Sequence, residues 1–165
     1  MKRPSKYQQL QIRVTAQEKA AVRRAASDAG MEISSWVLSR ILPSLGEEFQ
    51  ARVAALNIGG ERKVAFAELN DFLVALTGEE LVVAVAAPPR EALDNYVMNY
   101  LAAMIEIAAQ QKNALAPSWI SEIAPLEKPH FGVSLKSIRL HLLTNSPAAF
   151  RRRNIFVDST LGDRV

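Results

Sequence analysis

Apolar and polar residues alternate over positions 8–14. Leu10, Ile12 and Val14 fall on one side, and Gln9, Gln11 and Arg13 on the other. A period of two sends successive side chains to opposite faces and predicts a half-buried strand. The spacing then changes. Thr15 with Glu18 three positions on predicts a capping box and a helix start. Val22, Ala25, Ala26 and Ala29 keep helical spacing, and Gly30 suits the left-handed residue that ends a helix. Ser34 is expected to cap a second helix carrying Trp36, Val37, Ile41 and Leu42, which Pro43 ends or interrupts.

Beyond Pro43 the helical period dominates. A helix is predicted over 46–57, broken at Asn57-Ile-Gly-Gly60, where a domain boundary is expected. Residues 63–77 place Val64, Phe66, Leu69, Phe72, Leu73 and Leu76 on one side, with Thr77 and Gly78 read as the stop. The apolar run Leu81–Ala87 fits a strand or a helix end equally well, and Pro88-Pro89 break it. A long helix is predicted over 90–112, a loop with a short helix near Trp119–Ile123 over 114–129, and an amphipathic helix over 134–144 with Leu135, Ile138 and Leu142 inward. The expected architecture is therefore mostly α. Residues 1–45 form one module, 46–62 a connecting helix and hinge, and 63–165 a helical domain.

The chain has 165 residues, of which 49% are hydrophobic and 7% aromatic, and no cysteine. That supports a packed core and excludes disulfides and thiolate chemistry. Lack of cysteine fits a reducing cytosol. Met1–Lys6 is polar with no apolar core behind it, and Leu81–Ala87 is far too short to span a bilayer. A cytoplasmic protein with no membrane role is expected.

Charge is uneven. Residues 1–45 hold eight bases (Lys2, Arg3, Lys6, Arg13, Lys19, Arg23, Arg24, Arg40) against three acids (Glu18, Asp28, Glu32), while the remainder is slightly acidic. A basic head on a near-neutral body suits an anionic partner, although a solvated helix surface explains the charge equally well.

The order Leu10-Gln-Ile-Arg-Val-Thr15, helix, Gly30-Met-Glu-Ile-Ser-Ser-Trp-Val-Leu38 resembles the ribbon-helix-helix family over about a quarter of the chain. The resemblance implies a homodimer whose paired strands enter the major groove of double-stranded DNA. A lone strand has two unpaired edges, and pairing with its twin removes one from each copy. Gln9, Gln11 and Arg13 would then project together, with side chains suited to adenine and guanine edges. Leu10, Ile12, Val14, Val22, Trp36, Val37 and Ile41 would form the dimer core. Ser34 and Ser35, at a helix start, would hold a phosphate, with Lys2, Arg3, Lys6 and Lys19 as further backbone contacts. The plainer alternatives are an ordinary edge strand, a serine that only caps, and a Trp36 that only packs.

In the C-terminal half, Ala116-Pro-Ser-Trp119, Pro125-Leu126, Pro129-His-Phe131 and Phe150-Arg-Arg-Arg-Asn-Ile-Phe156 resemble antitoxin-like partners of nucleotidyltransferase toxins. That implies a toxin-binding body and an operon that represses its own promoter. Arg151, Arg152 and Arg153 are candidate partner-binding residues, or else a structural group paired with local acids. No catalytic constellation, cofactor motif or metal spacing emerges. An enzyme would need Glu79, Asp94 or His130 to converge in one pocket. The other class of reading is a dimeric protein-interaction adaptor that does not bind DNA.

Overall fold

The computed structural model describes residues 11–57, 62–133 and 136–158. They are mostly helical and divide into two compact units, one ending at Pro43 and one beginning at Ser44.

The first unit holds α1 (Ala16–Asp28) and α2 (Ile33–Ile41). The Thr15 hydroxyl accepts from the Glu18 N–H, and the Glu18 carboxylate accepts from the Thr15 N–H at 2.7 Å, which completes the expected capping box. These bonds hold the Glu18 carboxyl below its ordinary pKa. At the other end, Gly30 has φ +62°, with Gly30 N–H donating to Ser27 and Met31 N–H to Ala26. This paired closure satisfies carbonyls the helix leaves free. A β-carbon at Gly30 would meet nothing within 4 Å, so only backbone strain opposes it. Gly30→Ala is therefore expected to cost about 1 kcal/mol, read as a lower melting midpoint.

The second unit contains α3 (Leu45–Ala55), α4 (Arg62–Ala75), α5 (Gly78–Ala84), α6 (Asn95–Gln111), a 3₁₀ turn (Ser118–Glu122), β1 (His130–Phe131), a 3₁₀ turn (Lys136–Ile138), α7 (Arg139–Asn145), α8 (Ala148–Arg151) and β2 (Ile155–Phe156). The α6 helix is apolar almost all round, as a helix at the centre of a core must be. Asp94 caps its start by accepting from Val97 N–H at 2.7 Å. Phe49, Val53 and Leu56 of α3 and its cap, Leu69 and Leu73 of α4, Leu81 of α5, and Leu101 and Ile105 of α6 are all buried in one core. The two short strands pair in parallel, His130 with Ile155 and Phe131 with Phe156.

Three expectations change. The chain divides at Pro43/Ser44, close to the expected end of the first module at 45, but α3 is no separate connector, because Phe49, Val53 and Leu56 carry it into the core of the second unit. Ile58–Gly60 lie outside the described residues. Thr77 does not stop a helix but starts α5, with Glu80 completing a second capping box, so Leu81–Ala84 is helical. Val64 points outward at 55% exposure.

Candidate nucleic-acid interface and partner surface

The half-buried strand expected over 8–14 is not formed at residues 11–14, which belong to no helix or strand and are exposed, while residues 8–10 lie outside the described residues. Gln11 and Arg13 are exposed, and so are the apolar Ile12 (57%) and Val14 (48%). Both faces of this segment therefore meet solvent in the single subunit. Gln9, Leu10, Lys2, Arg3 and Lys6 lie outside the described residues. Lys19 is exposed on α1.

The first unit is poorly filled. Among its described residues only Ala26 is buried. Val22, Trp36 and Val37 are half-buried. Met31, Ile33, Ile41 and Leu42 stand exposed. Arg40 lies over the Trp36 ring at 5.5 Å, which shields part of the indole.

At α2 the expected cap moves. Glu32, not Ser34, occupies the N-cap position, and its side chain makes no capping bond. Ser34 is exposed inside the first turn and Ser35 half-buried beside it. Trp36 N–H already donates to Glu32 O at 2.8 Å, so the N–H groups of Ile33, Ser34 and Ser35 are the ones left outside the helical ladder. They favour an anion, but the Glu32 carboxylate at the same end opposes one.

The three C-terminal arginines have three different surroundings. Arg153 is buried, donating to the Ile120 carbonyl at 3.1 Å and to Asn99 Oδ1 at 3.4 Å, with Glu106 at 3.9 Å. Burial lowers its pKa, and the Glu106 carboxylate partly restores it. Its Nε has no hydrogen-bond partner. Arg152 is exposed and paired with Glu106. Arg151 is exposed and has no ion pair among the described residues. Next to them, Asn154 adopts φ +62° and donates to Leu126 O at 2.9 Å. Trp119 Nε1 donates to Val85 O at 3.0 Å. The Trp119, Leu126, Phe131 and Arg153–Phe156 segments singled out in the sequence are thus tied to one another or to the core by internal bonds.

Asp94, His130 and Glu79, the residues named for an enzyme, have three different surroundings. Asp94 accepts from Val97 and pairs with Arg62 at 3.1 Å. The His130 ring packs on Tyr96 at 4.2 Å. Glu79 is exposed in the first turn of α5. No group of three or more His, Cys, Asp or Glu among the described residues could hold a metal, and no described helix is long and apolar enough to cross a membrane. Asn99, fully buried and bonded to Asn95 and Ala124, was not anticipated. A single asparagine within the apolar run of α6 is the signal that could have shown it.

Comparison with protein-family models, with curated proteins and with solved structures gives no match to this chain.

Proposed function

We propose that the protein is a sequence-specific DNA-binding transcriptional regulator that dimerises as a ribbon-helix-helix module through its first unit. In this reading it is the antitoxin of a toxin–antitoxin operon, repressing its own promoter and holding a toxin with its second unit. The observation that carries the reading is the underfilled first unit, in which one alanine is buried while Ile12, Val14, Ile41 and Leu42 are exposed. A piece this small rarely builds a sufficient core alone, and a second copy supplies the missing half. Strand pairing between two copies covers Ile12 and Val14 and leaves Gln11 and Arg13 facing outward. The basic excess of residues 1–45 suits a phosphate backbone.

The test is a binding titration of the full-length protein against its gene's upstream DNA, followed by fluorescence anisotropy. Binding is expected to weaken steeply with added salt as counterions are released. Arg13→Ala is expected to cost about 1–3 kcal/mol and to relax base preference at one position per half-site. A dimer that shifts no promoter DNA yet co-purifies with a neighbouring gene product would replace this reading with the adaptor.

A further inference from the structure

The second unit contains a cleft of about 340 Å³ between α4, α6 and α8. Its size is at the lower end of small-molecule sites. Met104, Tyr100 and Phe150 are buried around it, at 7%, 4% and 1% exposure, and Leu73 and Ala108 complete the apolar lining. Exposed Val74 and half-buried Ile107 line it too. Asn70, Asp71 and Gln111 supply its remaining polar groups.

Two features separate this cleft from an ordinary packing fault. First, the Tyr100 ring is almost wholly buried, while its hydroxyl, which has no hydrogen-bond partner among the described residues, keeps contact with solvent. Its ring is packed against those of Phe66 at 4.5 Å and Phe150 at 4.8 Å, so it is held in place. A hydroxyl held at a cleft by a fixed ring and open to water can exchange that water for the polar group of a ligand. Burial pushes its pKa up to about 12, so it stays a neutral donor and acceptor in ordinary buffers. Second, Asp71 is the one charged residue in the lining and has no ion pair among the described residues. Lys112, which could have neutralised this wall, donates to the Val74 carbonyl at 2.9 Å and lines a separate groove with Thr77, Gly78 and Glu79.

We propose that this cleft binds a small, mostly apolar molecule that carries a cationic amine and a second polar group. The amine pairs with Asp71, supported by the amides of Asn70 and Gln111. The apolar body rests on Met104 and Phe150, and the second polar group meets the Tyr100 hydroxyl. The inference uses only the second unit, so it survives if the DNA reading fails.

Tyramine is a suitable probe, with 4-hydroxyphenylacetate as the same frame of opposite charge and phenethylamine as the frame without its hydroxyl. The readout is the methyl signal of Met104 in the full-length protein by NMR, with Met31 of the first unit as internal control. Tyramine is expected to shift Met104 saturably and leave Met31 unmoved. The carboxylate should bind at least about tenfold more weakly, as one charge-assisted contact is exchanged for a repulsion. Asp71→Asn should erase that preference. Tyr100→Phe should weaken tyramine but not phenethylamine. Neither substitution changes side-chain volume much, so both variants should fold, which a melting curve verifies. No saturable shift, equal shifts at Met31, equal binding of the carboxylate, or a preference that persists in Asp71→Asn would each overturn the proposal.

Discussion

Replacing Ile12 and Val14 together by glutamate is expected to turn a dimer into a monomer at micromolar concentration and to abolish operator binding. Both residues are about half exposed in the single subunit, so the substitution removes little from the subunit's own packing. In the proposed ribbon each is covered by the twin copy, and a dimer contains four such side chains. Fully burying one apolar side chain is worth about 1.5–3 kcal/mol, and about half of each of these is left to bury, so the lost burial alone amounts to about 3 kcal/mol or more, a factor of about 10² in dimer affinity. The four introduced carboxylates would also face each other across the ribbon. Sedimentation equilibrium gives the oligomeric state and anisotropy the DNA affinity. A variant that remains dimeric, or a wild-type protein that is monomeric, removes the basis for the ribbon.

The contrast with Arg13→Ala separates assembly from recognition. Arg13 is exposed, and in the proposed ribbon strand alternation would send it to the face opposite Ile12 and Val14. Its loss should leave the dimer intact and alter only which DNA is preferred. If both variants lost DNA binding with the dimer unchanged, the strand would be a contact surface and not the dimer seam.

Local signals were legible in the sequence wherever one or two residues decide the backbone. Thr15 with Glu18 and the left-handed Gly30 act within a single turn and are where they were expected. Ser34 misled because serine is a favoured cap and glutamate is not, yet the helix opens at Glu32 with no side-chain capping bond. At Thr77 the same signature that marks α1 was present with Glu80, yet the preceding helix made it read as a stop. Asn57–Gly60 and Pro43 are comparable breakers on paper. Only the burial of Phe49, Val53 and Leu56, decided by partners far along the chain, distinguishes the break inside a core from the break between units. The cleft was illegible for the same reason. Asp71, Tyr100 and Phe150 come from three helices, and no spacing in sequence brings them together.

The arginine triplet shows how a charge run can contain unlike roles, and its variants give the second large effect. Arg153→Ala is expected to destabilise the second unit by about 3 kcal/mol. It empties a buried volume and strips the donor from the Ile120 carbonyl and from Asn99 Oδ1. Arg153→Met fills much of that volume and should recover part of the loss, because an apolar side chain of similar length also removes the orphaned Nε. Arg152→Ala should cost no more than about 1 kcal/mol, since its pairing with Glu106 is made by an exposed guanidinium. Arg151→Ala should leave the melting midpoint unchanged within about 0.5 kcal/mol. Thermal and urea unfolding of the four variants measures this ordering. A stability loss confined to Arg153, together with a partner affinity that responds to Arg151, would assign scaffold and contact to adjacent residues. Equal stability of all four variants would mean that Arg153 holds no structural place and that the buried bonds around Asn99 contribute little.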